Sequence, residues 1–139
     1  MRWIVFSVKG MILSKDGKIL LLKRAPQDRY YSEHWEMPGG KVETWNFKND
    51  FIREIKEEAV FLTAWIIWQG SFLRRSPIYK TFFSWPAWHC TFFVVVTCAQ
   101  QAIRLSDEHT EFGWFELERV SSLVLTPETR YALERYIFK

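Results

Sequence analysis

Cysteine is scarce in this chain: its 139 residues hold two, Cys90 and Cys98. Both fall in one β-rich run, where eight residues at ~3.3 Å each hold them roughly 26 Å apart, beyond disulfide reach. Two unpaired thiols suit a reducing cytoplasm, and no Cys/His spacing suggests zinc. No run approaches the ~18 apolar residues of a membrane span. The stretch Trp3 to Phe6 before Lys9 is too short for a signal-peptide core. There is no basic block, and a net charge of +3 makes no case for a nucleic-acid surface. Internal repeats, low-complexity tracts and linkers are absent too, so residues 1–139 read as a single domain, long enough to bury a core unaided.

What the chain does have is aromatic surface and one concentrated acidic stripe. Aromatic residues make up 18%, with eight Trp, so most rings are expected in the core and a minority can stack on a flat ligand. From Gly39 to Glu58 the sequence reads GGKVETWNFKNDFIREIKEE. On a helix, Glu54, Glu57 and Glu58 fall within one narrow arc, while Phe51, Ile55 and Ala59 form an apolar stripe beside it. Three like charges on one stripe repel unless something positive sits among them, and a hard cation such as Mg²⁺ prefers carboxylate oxygens. Just before this helix, Met37-Pro38-Gly39-Gly40 offers glycines that let backbone N–H groups approach an anion, ahead of a helix N-terminus that favours negative charge. A phosphate cradle next to a carboxylate cluster points to phosphate plus metal.

The remaining chain supplies a scaffold. Residues 2–13 read as extended, Ser14-Lys15-Asp16-Gly17 as a hairpin turn, and Ile19 to Lys23 as a return strand buried on both faces. Lys23 and Arg24 at its end are placed to meet phosphate. Ala25 to Glu33 is a polar loop. A helix is expected over about 46–59, with Thr44 or Asn46 as N-cap. Phe61 to Leu73 and Trp88 to Cys98 read as strands joined by a loop over 74–87. Ser106 to Glu111 is an acidic turn, followed by a short strand from Trp114 to Leu117. Thr126, Pro127 and Glu128 signal a C-terminal helix whose packing stripe is Ala132, Leu133, Tyr136 and Ile137. This order of elements predicts an α/β fold, a mixed sheet packed between helices.

WEMPGGKVE followed by REIKEE resembles the Nudix box of the Nudix hydrolase superfamily, in its MutT-like branch. Val8 to Arg24 resembles the family's opening hairpin, and Glu108-His109 with Trp114-Phe115 its later segment. The resemblance implies a Nudix-like α/β/α sandwich with a mixed sheet. It implies Mg²⁺-dependent hydrolysis (Mn²⁺ as a substitute) of a pyrophosphate bond in a nucleoside diphosphate linked to another moiety. The implied metal ligands are Glu54, Glu57, Glu58 and the backbone of Gly39; Glu54 serves as a further ligand or the general base. Arg53 would pair with Glu57 and hold the carboxylates in register. Arg24, Gly40 and Lys41 would meet substrate phosphate, and Glu108 or Glu111 would lend a further carboxylate. The partner implied is a small nucleotide, bound by a monomer or homodimer. The match departs from the family at three points: the interval from Glu43 to Arg53 is one residue short, Trp45 and Asn46 stand where a Glu is expected, and Val60 replaces a Gly. A Gly there would suit a positive-φ helix stop, which a β-branched residue disfavours, so the helix is expected to end differently.

Overall fold

The computed structural model describes residues 4–42, 46, 49, 50, 53, 65–80, 86–97, 103 and 105–136, with the backbone alone for residue 4, 65–80, most of 86–97 and residue 136. Strand β1 (Ile4–Leu13) turns back into β2 (Ile19–Arg24) at the Asp16-Gly17 pair. Gly17 adopts φ 81°, its N–H donates to the Ser14 carbonyl at 3.0 Å, and Ser14 N–H donates to the Lys18 carbonyl at 2.8 Å. Positive φ costs glycine little, which is why the turn falls here.

Ile19, Leu20, Leu21 and Leu22 are all fully buried. Successive strand residues point to opposite faces, and these four divide accordingly. Leu20 and Leu22 pack with Val8, Ile12 and Val42, joined by Phe6, Ile103, Leu105 and Trp114. Ile19 and Leu21 pack with Met11, Met37, Val120, Leu125, Ala132 and Leu133. The sheet therefore carries a core on each side, as expected of a strand that is fully apolar at its centre.

Beyond the hairpin turn β1 and β2 diverge: Leu13↔Ile19 is their paired position. The opening is filled by residues 35–41. Here β3 (Trp35–Glu36) runs antiparallel to β2, and β4 (Gly39–Lys41) antiparallel to β1, with Lys9↔Gly39 and Ser7↔Lys41 in register. The Gly10 N–H donates to the Pro38 carbonyl at 2.9 Å where the segment crosses from one strand to the other. Met37-Pro38-Gly39-Gly40 is thus a strand-to-strand crossing rather than a free turn.

On its other edge β1 pairs in parallel with β6 (Pro86–Thr97), from Ile4↔Trp88 to Leu13↔Thr97, and β6 pairs antiparallel with β5 (Trp65–Lys80). The outer edge of β2 carries β7 (His109–Phe115) in antiparallel pairing. Among the described residues the mixed sheet has seven strands. Residues 74–87 were expected to form a loop, yet β5 runs on to Lys80 and β6 starts at Pro86. The two prolines fit because neither needs to donate to a regular ladder: Pro77 lies where the register shifts between Arg75 and Lys80, and Pro86 opens its strand.

The helix α1 (Leu117–Val120), unforeseen in the sequence, and α2 (Pro127–Tyr136) lie on the Met11–Leu133 side. Helix α2 starts as its sequence predicts, with Pro127 first and Arg130 N–H donating to the Thr126 carbonyl at 3.0 Å. The Thr126 hydroxyl, expected to cap, donates instead to the Thr129 hydroxyl at 2.9 Å, which also accepts Met37 N–H at 3.1 Å. Ala132 and Leu133 are fully buried as expected; the Tyr136 side chain and Ile137 lie outside the described residues. Among the described residues no helix is long and apolar enough to cross a membrane.

Candidate active site

Gly39 is the tightest point of the crossing. It adopts φ 143°, and a Cβ there would lie 2.0 Å from the Val8 carbonyl oxygen. Only glycine lets β4 lie this close to β1. The Gly39 carbonyl accepts from Lys9 Nζ at 3.4 Å. Lys41 is exposed, and its carbonyl accepts from Arg53 Nη2 at 3.4 Å.

That last bond ties the glycine segment to the acidic helix. Of the two expected N-caps, Asn46 takes the role: its carbonyl accepts Asp50 N–H at 2.9 Å and its side-chain oxygen accepts Asn49 N–H at 3.1 Å. Arg53 is helical, and its Nη1 lies 3.3 Å from the Asp50 carboxylate, one turn back. Arg53, first residue of the REIKEE run, thus bridges the helix and the Lys41 backbone. The pairing with Glu57, and Glu54, Glu57 and Glu58 themselves, lie outside the described residues, as do Glu43, Thr44, Trp45 and Val60.

Glu36 was not singled out in the sequence, yet two cations and a histidine converge on it. Its carboxylate is buried and lies 2.8 Å from His109 Nε2, 3.2 Å from Arg24 Nη1 and 3.5 Å from Lys9 Nζ. Burial would raise its pKa; Lys9, the His109 hydrogen bond and Arg24 outweigh that and bring it down to about 2. No local sequence signal marks it, because the segments that carry Lys9, Arg24 and Glu36 meet only through strand pairing.

Arg24 is fully engaged. Nη1 meets Glu36, Nη2 lies 3.6 Å from Asp28, and Nε donates to the Tyr30 carbonyl at 3.2 Å. Burial lowers the guanidinium pKa, but Glu36 and Asp28 reverse that and raise it. Arg24 thereby staples the Ala25–His34 loop, in which Tyr31 and Glu33 adopt φ 53° and 59°.

The two further carboxylates separate. Lys23 pairs with Glu111 at 3.3 Å and lies over the Trp35 ring at 5.9 Å, on the face of the Met11–Leu133 core. Arg24 opposes His109, on the other face. Glu108 is exposed, with its carbonyl accepting Ala25 N–H at 3.0 Å. Of the two, Glu108 is the carboxylate beside the Arg24–Glu36 cluster.

A hard divalent cation takes oxygen donors. Among the described residues no three His, Cys, Asp or Glu side chains cluster to hold one. The Gly39 carbonyl is an oxygen donor of this kind, and in the structure it accepts from the Lys9 ammonium. Cys90 is free and half-buried, and burial pushes its thiol pKa up, away from reactivity. Cys98 lies outside the described residues.

The family model for the NUDIX domain matches residues 5–136. The chain belongs to the Nudix family. It is a Nudix-type pyrophosphohydrolase with the α/β Nudix fold. Among solved structures, the MutT protein of Methanosarcina mazei Go1 is 26% identical, with a TM-score of 0.70 over 96% of this chain and 93% of that one. An Ap4A hydrolase of C. elegans is 21% identical, with a TM-score of 0.73 over 95% and 94%. The NUDIX domain of Shewanella oneidensis NrtR, complexed with ADP ribose, is 17% identical, with a TM-score of 0.72 over 94% and 84%. No curated protein sequence matches the chain.

Proposed function

We propose that this Nudix chain hydrolyses the pyrophosphate bond of a nucleoside diphosphate linked to another moiety, in the presence of Mg²⁺ or, as a substitute, Mn²⁺. The observation that carries this reading is the bond from Arg53 to the Lys41 carbonyl, 3.4 Å long. It fixes the glycine segment against the first residue of REIKEE, which supports reading the glycine backbone and that run as one site.

Glu57 and Glu58 would hold the cation, with Glu54 as a further ligand or the general base and Gly39 offering its carbonyl. A bound divalent cation lowers the pKa of water and neutralises phosphoryl charge. The chain's own contribution is placement. Gly40 and Lys41 offer backbone and side-chain contacts to phosphate on the exposed side of β4. With its guanidinium occupied by Glu36, Asp28 and Tyr30, Arg24 shapes the adjoining loop, and its positive charge acts on phosphate over a longer range. The nucleotide is a small-molecule partner, and the protein acts as a single-domain monomer or homodimer in the cytoplasm.

The test is a nucleotide panel with and without Mg²⁺, read as release of phosphate or nucleoside monophosphate. Turnover that needs the cation and is lost in Glu57→Gln, by about 100-fold or more, supports the reading; equal rates in parent and variant reject it. A second reading is a Nudix domain that binds a nucleotide without cleaving it. It draws on the short interval before Arg53, the missing Glu at Trp45–Asn46 and Val60. Saturable binding of a nucleotide without cation-dependent turnover anywhere in the panel would favour it.

A further inference from the structure

We propose that Glu36 and His109 form a positioning pair that sets where the Ser106–Glu108 turn before β7 lies, and with it the Glu108 carboxylate; the catalytic part of this rests on the hydrolytic reading above. The pair is a buried bond of 2.8 Å between residues 73 positions apart, with side chains 7% and 2% exposed. A hydrogen bond to an ionised carboxylate is short, directional and costly to break when buried.

The register of β7 against β2 shows how His109 reaches Glu36. Lys23 opposes Glu111, but the next residue, Arg24, opposes His109, so Thr110 is one extra residue in β7. Without that bulge Thr110 would oppose Arg24, and His109 would oppose Ala25 on the face where Lys23 and Glu111 meet. The bulge exchanges a threonine for a histidine at the Glu36 carboxylate.

The rest of the turn is held by short-range bonds. His109 N–H donates to the Ser106 carbonyl at 3.2 Å and Glu108 N–H to the Ser106 hydroxyl at 3.3 Å; the bond from Ala25 N–H to Glu108 links them to β2. Glu36 lies three residues before Gly39, in the same crossing segment. The pair therefore connects the segment that would hold phosphate to the turn that carries Glu108. A buried polar contact between distant segments is better suited to fixing register than to adding stability, which is the role assigned here.

The experiment compares wild type, His109→Leu, His109→Gln, Glu108→Gln and the double variant His109→Leu/Glu108→Gln, using the nucleoside triphosphate that wild type cleaves fastest. His109→Leu is expected to lower kcat by about 10-fold or more with KM within about twofold. His109→Gln, which can keep an N–H donor near the Nε2 position, is expected to recover most of that loss. Glu108→Gln should lose at least as much, and the double variant should be no slower than Glu108→Gln alone. Amide hydrogen exchange at Ala25 and His109 should quicken in His109→Leu and not in His109→Gln. Multiplying losses in the double variant, or full activity in Glu108→Gln, would overturn the role assigned to Glu108. Unchanged exchange in His109→Leu would overturn the pair itself, whether or not the protein cleaves nucleotides. Absence of Mg²⁺-dependent turnover in wild type would reject the hydrolytic reading alone, and exchange would still decide the pair.

Discussion

Glu36 puts a negative charge where strand β3 is buried, and Lys9, Arg24 and His109 make that tolerable. Removing one partner of a buried ion cluster leaves the others uncompensated, which typically costs about 3–5 kcal/mol. Glu36→Gln is therefore expected to lower the urea-unfolding free energy by about that much; a loss below about 1 kcal/mol would show that the cations find other partners. The depressed pKa fixes the sign with pH. The carboxylate contributes stability that is fully present above its unfolded value, near 4.5, and is lost as pH falls towards about 2. Wild type should accordingly weaken across that window more steeply than Glu36→Gln when unfolding midpoints are followed against pH. Gly39 is the other residue whose replacement has a clear outcome. Gly39→Ala drives a methyl group into the Val8 carbonyl and should cost several kcal/mol or prevent folding, whereas Gly17→Ala, with nothing within 4 Å, should cost only about 1 kcal/mol for its positive φ. Gly39, Arg24 and Arg53 could be picked out of the sequence because motif and position mark them. Glu36, Lys9 and His109 could not, because strand pairing alone brings positions 9, 36 and 109 together.

Elements whose signals are local were legible. The Asp16-Gly17 hairpin, the apolar β2 and the Pro127 start of α2 all follow from neighbouring residues. Asn46 as N-cap belongs with them, since an Asn three residues before an amide in a first helical turn is a local arrangement. Asn46→Ala should cost about 1 kcal/mol and lower the melting temperature by a few degrees, with Thr44 unable to substitute if the assignment holds. The crossing formed by β3 and β4 was not legible. Its strands are two and three residues long, too short for any alternation to register, and they exist because β1 and β2 splay apart to admit them. The continuation of β5 through Pro77 was hidden for a different reason. Proline ordinarily marks a loop, and only the irregular register after Arg75 accommodates it. The extra residue Thr110 in β7 has no sequence mark either.

For the molecule as a whole, the order of strands and helices was enough to predict an α/β mixed sheet, and the burial of every residue from Ile19 to Leu22 is the packing counterpart of that prediction. Leu133 ties α2 to this sheet, and Leu133→Ala should cost about 2–5 kcal/mol in chemical denaturation. Ligation of the acidic stripe rests on residues outside the described ones, so the motif carries that part of the site and the cation-dependent nucleotide assay decides it. The parallel pairing of β1 with β6 could not be read from either strand alone. It has a consequence for how the chain reaches its fold. Ser7 and Thr91, hydrogen-bonded at 3.1 Å, are 84 positions apart. At about 5–20 residues per second of synthesis, β1 must remain without its longest neighbour for several seconds. During that interval Val8, Met11 and Ile12 lack the cover they later have. Because such distant pairings form slowly, the nascent chain is most open to mispairing and to capture by chaperones before β6 has emerged.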